Sequence, residues 1–183
     1  AAERLRIAEV ESVAICLLHS YANPDHERRV ADLIGKILPS SVFISCSSEI
    51  LPEIREYERT STTVVNAFLG PVVSRYLDSL THRLKSAGIN CPLHIMQSSG
   101  GQMSVDSAVT KPAYLVESGP AAGVIAAARI AKQAGLSNVI TLDMGGTTTK
   151  TALVENGEPA KTNEYEIGAG INLSSKLVKG AGY

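Results

Sequence analysis

The sequence predicts an α/β protein, with a βαβ unit at the front, helices in the middle and an antiparallel β-hairpin region at the back. Three observations carry that expectation. Between Ser12 and Cys46 an apolar run, a capped amphipathic segment and a second apolar run follow one another. From Val65 to Leu84 apolar residues recur at helical spacing. Finally, 12 of the 15 glycines lie from Gly100 onward, between short β-prone runs.

The first run, Ser12 to Leu18, is continuously apolar and reads as a buried strand. Asn23-Pro24-Asp25 then starts a helix, with Asn23 as cap, Pro24 at the first helical position, and Asp25 and Glu27 in the electropositive first turn. Its apolar stripe is Val30, Leu33, Ile34 and Ile37, and Pro39 ends it. Val42 to Cys46 is the second strand. Strand, helix and strand at this spacing imply a parallel pair.

Residues 49–60 are polar and carry four glutamates. The cluster Glu53, Arg55, Glu56, Glu58 and Arg59 reads as a solvated face leading into a helix, with salt bridges or an interface as the other reading. The helix over about 61–86 presents Val65, Phe68, Leu69, Val72, Val73, Tyr76, Leu77, Leu80 and Leu84. Gly70-Pro71 should bend or split it, and Gly88 suits its C-cap. Pro92 to Met96 is a third strand, Gly100-Gly101 a tight turn, and Tyr114 to Glu117 a short strand. Ser118 opens another helix that Gly135 closes. Asn138 to Asp143 and Thr149 to Val154 are strands joined at Gly145-Gly146, and Asn156-Gly157 signals a further hairpin.

Size and charge narrow the functional classes. At 183 residues the chain matches one domain, or two small ones sharing an edge. With 17 Lys+Arg against 18 Asp+Glu, the net charge of -1 gives no electrostatic footprint for nucleic acid or an anionic membrane. No apolar run reaches the roughly 20 residues of a spanning helix, and the first residues have no signal-like apolar core. Cys16, Cys46 and Cys91 make an odd set with no framework spacing; they read as buried structural thiols in a reducing, cytoplasmic setting. No His-x-x-x-His or Cys-x-x-Cys spacing suggests zinc.

The sharpest chemical feature is Asp143-Met144-Gly145-Gly146-Thr147-Thr148-Thr149-Lys150 between two strands. Paired glycines let the backbone approach a ligand and turn several N–H groups one way, making an anion cradle. Threonine hydroxyls suit phosphate oxygens, and an acidic residue at the strand end can hold Mg²⁺ or its water. Taken alone, the residues fit an ordinary Gly-Gly hairpin with Asp143 at its first position better than a phosphate site. Thr149 before Lys150 breaks the P-loop pattern, and Gly168-Ala169-Gly170 meets Leu173 where a dinucleotide loop needs glycine. Ser118-Gly119-Pro120-Ala121-Ala122-Gly123 opens a helix with free N–H groups, which suits an anion; the small residues equally suit close packing on a sheet. Ser98 and Ser99 lie at a strand end without a nucleophile elbow, so a plain turn is the better reading. Asn172 to Ser174 matches a glycosylation sequon that carries no weight without a secretory signal.

Four segments in this order resemble the hydantoinase A/5-oxoprolinase family: Leu51 to Thr63, Ile95 to Gly101, Ser118 to Gly123 and Asp143 to Thr147. The stretch Val13 to Pro24 is similar as well, so the resemblance runs from about residue 10 to the end. It implies a fragment of an actin/hexokinase-type ATPase fold that uses ATP and Mg²⁺ to phosphorylate an amide or ketone oxygen. Water then opens a cyclic amide such as a hydantoin or 5-oxoproline; in ketone carboxylases the activated enol is carboxylated. Asp143 would act on Mg²⁺ or a water, with Gly145, Gly146, Thr147, Thr148, Lys150, Ser118 and Gly119 holding the nucleotide. Many members carry an acidic residue where this chain has Lys150.

The family's chains are several times longer, with a first Asp-x-Gly-Gly-Thr hairpin upstream and an adenosine-binding segment downstream. The resemblance therefore implies an interior piece, with residues 1–110 ending the N-terminal region and 111–183 starting the ATPase core. That piece is not expected to turn over ATP alone. A partner B-type subunit, a homo-oligomer or both are implied. Other readings are a non-catalytic nucleotide-binding or assembly module using residues 49–86, and a small-molecule kinase of the same superfold.

Overall fold

Strands β1 (Ser12–Ile15) and β2 (Phe43–Cys46) pair in parallel, with Ser12 opposite Phe43 and Ile15 opposite Cys46. Helix α2 (Asp25–Gly35) crosses between them, which is the expected βαβ unit. The computed structural model describes residues 1–146, 148–167, 171–178 and 181–182, and side chains for residues 1–146 and 148–162. The chain divides into two compact units. One holds residues 1–93, 105–113 and 166–174, the other residues 94–104, 114–165 and 175–183.

In the first unit, α1 (Ala2–Ile7) precedes β1, and α3 (Ser47–Ile50) follows β2 directly. The Asn23 carboxamide accepts the Asp25 N–H at 2.9 Å, so the capping chemistry is as expected, although Pro24 occupies the cap position. The expected stripe of α2 is only partly buried: Val30 and Ile34 are half-buried, while Leu33 and Ile37 are exposed. The side chain this helix buries completely is Glu27.

Helix α4 (Glu56–Ser86) runs through Pro71 as one element and starts earlier than the expected 61–86. Glu56 and Glu58 in the first turn favour that start. The bare Cα of Gly70 lies against the Phe43 ring, where a Cβ would come within 2.4 Å. The apolar periodicity is right only in part: of the expected stripe Leu77 is buried and Val65, Leu69, Val73, Leu80 and Leu84 are half-buried, but Val72 is exposed. Arg59, Thr62, Thr63, Asn66, Ala67, Gly70 and Leu77 are buried, whereas Phe68 and Tyr76 are 76 % and 62 % exposed.

The physical reason is that α4 is held partly by close contact, as at Gly70 on the Phe43 ring, and partly by hydrogen bonds from polar side chains that it buries. The Asn66 amide donates to Ser45 Oγ (3.0 Å) and to the Thr110 carbonyl (3.1 Å), and its oxygen accepts the Ala113 N–H (3.1 Å). Thr110 ends α5 (Val105–Thr110). The solvated reading of the charged cluster fails at Arg59, which is fully buried while Glu53, Arg55 and Glu56 are exposed. Gly88 adopts φ +80° just past the helix, as a C-terminal glycine should. Cys46 is buried and Cys16 half-buried, but Cys91 is exposed, against the reading of three buried thiols.

In the second unit, β3 (His94–Met96) and β4 (Gln102–Ser104) form an antiparallel hairpin, with Gly100 at φ +82° in its turn. Ser98 is buried and donates both its N–H (2.9 Å) and hydroxyl (2.7 Å) to the Tyr114 carbonyl. It is thus a structural turn residue. That capture and the fixed φ of Pro112 explain why the expected strand at Tyr114 to Glu117 is a 3₁₀ turn, Pro112–Leu115. Helix α6 (Ser118–Gln133) follows and closes at Gly135, φ +75°.

Strands β5 (Val139–Met144) and β6 (Thr149–Glu155) are antiparallel, and β7 (Glu158–Pro159) and β10 (Ala181–Gly182) both pair with β6. Asn156 (φ +53°) and Gly157 (φ +81°) make the expected two-residue turn. A further pair joins β8 (Lys161–Ile167) and β9 (Ile171–Val178). One face of β5–β6 packs on α6 through Val124, Ala128, Ala152 and Val154, with Val139 against them. The other face leaves Ile140, Leu142, Met144 and Leu153 exposed. Gly168 to Gly170, singled out in the sequence, lies outside the described residues. Among the described residues no helix is long and apolar enough to cross a membrane.

Candidate functional site

Asp143 and Lys150 stand directly opposite each other in the β5–β6 register. Cross-strand partners project to the same face, and here that face is the one packed on α6. Lys150 Nζ is ion-paired with the carboxylate of Glu117, the residue immediately before α6. Farther along β6, Ala152 and Val154 pack on Val124 and Ala128. Helix α6 therefore runs beside β6 with its N-terminus at the Gly145-Gly146 end. The structure brings Ser118 and Gly119 to the same end of the unit as Asp143, Gly145, Gly146, Thr148 and Lys150. Thr147 lies outside the described residues.

The hairpin is open rather than tightly packed. Gly145 N–H bonds the Thr148 carbonyl at 2.9 Å, and residues 142–146 and 148 are exposed. Neither Gly145 nor Gly146 has a positive φ. A Cβ on Gly146 would meet nothing within 4 Å, and one on Gly145 only the Thr148 oxygen at 3.6 Å. Glycine is thus required here neither by backbone strain nor by internal packing, and what it supplies is bare backbone that a ligand can approach.

The start of α6 gives a matching answer. A Cβ on Gly119 or Gly123 would also meet nothing within 4 Å, so close packing on a sheet does not explain those glycines. Ala121 is the small residue that packing uses, at 3 % exposure. The 16-residue helix presents its unpaired N–H groups and positive dipole end beside the hairpin. Glu117 itself sits in the left-handed region (φ +61°), which is uncommon for a residue with a side chain. Sequence reasoning placed Glu117 at a strand end and gave it no role. The only signal for it was an acidic residue directly ahead of the Ser118-Gly119-Pro120 helix start.

The donor set fits Mg²⁺ shared with phosphates better than a metal held by protein alone. Among the described residues no group of three or more His, Cys, Asp or Glu is placed to hold a metal ion. Mg²⁺ in phosphate sites takes one or two carboxylates and completes its shell with phosphate and water oxygens. Asp143 is exposed, and no hydrogen bond or ion pair to another described residue engages its carboxylate.

The sequence profile of the hydantoinase/oxoprolinase family matches residues 59–180, and that of the hydantoinase/oxoprolinase N-terminal region matches residues 1–38. The chain belongs to the hydantoinase/oxoprolinase family. An uncharacterised protein of Methanocaldococcus jannaschii is 47 % identical over 182 residues, covering 100 % of this chain and 26 % of that protein. The caprolactamase subunit alpha of Pseudomonas jessenii is 35 % identical over 187 residues, covering 100 % of this chain and 27 % of its own length.

Among solved structures, nucleotide-free acetone carboxylase matches with a TM-score of 0.89 and 30 % identity, over 100 % of this chain and 26 % of that one. This hydantoinase/oxoprolinase chain thus spans about a quarter of the length of the relatives it matches.

Proposed function

We propose that the chain is the phosphate-holding part of an ATP-dependent enzyme that activates the carbonyl of a cyclic amide by phosphorylation, so that water opens the ring. The observation that carries this reading is the convergence of the bare Asp143–Thr148 hairpin and the α6 N-terminus at one end of a unit. Backbone N–H groups of Gly145 and Gly146, the Thr147 and Thr148 hydroxyls and the first turn of α6 at Ser118 and Gly119 would hold phosphate oxygens. Asp143 would hold Mg²⁺ or a metal-bound water, and bound Mg²⁺ would supply charge neutralisation on the transferring phosphoryl group. Lys150, engaged by Glu117, would border the phosphate site.

Membership of the hydantoinase/oxoprolinase family supports this reading. So do the named activities of the relatives, a caprolactamase and an ATP-dependent acetone carboxylase. We extend the reading to an actin/hexokinase-type ATPase fold, with residues 111–183 starting its core and residues 1–110 ending the N-terminal region. We further propose a cytoplasmic enzyme working with a B-type partner subunit. Ketone carboxylation is the second reading, favoured by the TM-score of 0.89 to acetone carboxylase. An assembly role is favoured by the exposed Val64, Phe68, Val72 and Tyr76, which recur every four residues along α4.

The test is Asp143→Asn in the intact protein, assayed for ATP hydrolysis with a lactam, a hydantoin, 5-oxoproline and a small ketone. At least a roughly hundredfold fall in kcat with unchanged folding is expected, the size seen when one electrostatic group is removed from a reacting centre. A normal rate would sink the assignment. Ring-opened, carboxylated or phosphorylated product would separate the hydrolase, carboxylase and kinase readings.

A further inference from the structure

We infer that Glu117 is a positioning residue of this site: it sequesters Lys150 and thereby leaves the Asp143 carboxylate free for the metal. The inference rests on the nucleotide reading above and adds a residue and a role to it.

Lys150 is the direct cross-strand neighbour of Asp143, and side chains in that relation have Cβ atoms roughly 4.5–5.5 Å apart. An unoccupied ammonium there would pair with Asp143 and occupy the oxygens that a Mg²⁺ would need. In the structure Lys150 is turned instead to Glu117, 33 residues away in sequence, with the two side chains only 22 % and 33 % exposed. Such a pair is less screened than one in open solvent.

The backbone at Glu117 supports the same conclusion. A left-handed φ of +61° at the residue opening a helix is a place for glycine or asparagine. A glutamate there is accounted for by what its carboxylate reaches. The same ion pair fastens the hairpin end of β6 to the first turn of α6, which keeps the two phosphate-facing features in one arrangement.

The experiment compares Glu117→Gln, Lys150→Met and the double variant in the intact protein, reading kcat, the KM for ATP and the Mg²⁺ concentration for half-activation. Losing a supporting partner of a metal-binding carboxylate costs on the order of ten- to a hundredfold in metal affinity or activity. Glu117→Gln is therefore expected to raise the Mg²⁺ requirement roughly tenfold, because it releases Lys150 onto Asp143. Adding Lys150→Met to it should return the requirement to that of Lys150→Met alone, since the competitor is gone.

A double variant no better than Glu117→Gln overturns the inference, as does a Glu117→Gln protein with an unchanged Mg²⁺ requirement. A Lys150→Met protein worse than Glu117→Gln also overturns it, by making the lysine a phosphate ligand. Hydrogen exchange in the second turn of α6, where the Ala121 N–H bonds the Glu117 carbonyl at 3.1 Å, measured without ATP, separates this from failure of the nucleotide reading. Faster exchange in Glu117→Gln with no ATPase in the unmodified protein would retire the nucleotide reading and, with it, the metal role of the pair. Unaltered exchange would retire the ion pair itself.

Discussion

Glu27 and Arg59, two fully buried side chains of opposite charge, hold the two ends of the same peptide residue. The Leu17 N–H donates to Glu27 Oε1 at 2.8 Å, and Arg59 Nη2 donates to the Leu17 carbonyl at 2.8 Å. Glu27 also accepts the Ser47 hydroxyl (2.6 Å) and the Ser48 N–H (2.8 Å), so it ties the loop after β1 to the start of α3. Arg59 reaches the Glu53 carbonyl (3.2 Å) and lies 5.5 Å from the centre of the Tyr21 ring. A buried charge is tolerable only when hydrogen bonds satisfy it, and here those bonds fix the irregular backbone at the carboxyl ends of a parallel strand pair.

That arrangement makes stability depend on acid. Burial by itself would raise the Glu27 carboxyl, but the bonds from Ser47, Ser48 and Leu17 hold it below its ordinary value of 4.5. A carboxyl depressed in the folded state contributes stability above its unfolded pKa and loses it as pH falls through the folded one. Glu27→Gln should therefore cost about 1.5–3 kcal/mol at pH 7, the range for hydrogen bonds to a charged group. The gap to the unmodified protein should close as pH drops below 4.5. Chemical denaturation across pH 3–7 measures it, and a pH-independent gap would refute the account.

Replacing Gly70 by alanine should destabilise the protein, although alanine is the better helix former by about 1 kcal/mol. A Cβ there would lie 2.4 Å from Phe43 Cδ1, inside a strand held by β1 and unable to retreat. Overpacking of this kind costs about 1–3 kcal/mol. Phe43→Leu should recover part of the loss, giving a coupling energy in a double-mutant cycle. If Gly70→Ala proved neutral or stabilising, the close approach of α4 to β2 would be wrong.

The three thiols should differ sharply in reactivity. Burial, followed by the nearby Glu49 and Glu27, pushes Cys46 up to about 11. Because the thiolate is the reacting species, only about one Cys46 in a thousand is reactive at pH 8. Cys91 is exposed. Iodoacetamide at pH 8 should label Cys91 in the native protein and reach Cys46 only after unfolding, as peptide mass spectrometry would show. Equal labelling of both in the native state would contradict the structure.

Local chemistry was enough to read the βαβ unit, the glycine-closed ends of α4 and α6 and the Asn156-Gly157 turn, because each depends on a few adjacent residues. The Asp143 hairpin was likewise visible from its composition. By contrast, the helical period of Val65 to Leu84 caught the buried Leu77 and several half-buried residues but missed the polar side chains that α4 buries. Periodicity reports where apolar side chains align, while the partner decides which face is covered. Here α4 buries Arg59 and Asn66 through their bonds to the Leu17 carbonyl and Ser45 Oγ, with Thr63 between them, while Phe68 and Tyr76 remain outside. Tyr114 read as strand because nothing nearby in sequence shows that Ser98, 16 residues earlier, takes its carbonyl.

By itself, then, the sequence determined an α/β chain with a phosphate-suited hairpin and a glycine-rich helix start, and the motif order placed it in its family. Only the tertiary structure put those two features at one end of a unit, and only it gave Lys150 a partner. The reason is separation: Glu117 and Lys150 are joined across 33 residues by the packing of α6 on β6. That packing depends on Val124, Ala128, Ala152 and Val154 together, and no local pattern in the chain encodes it.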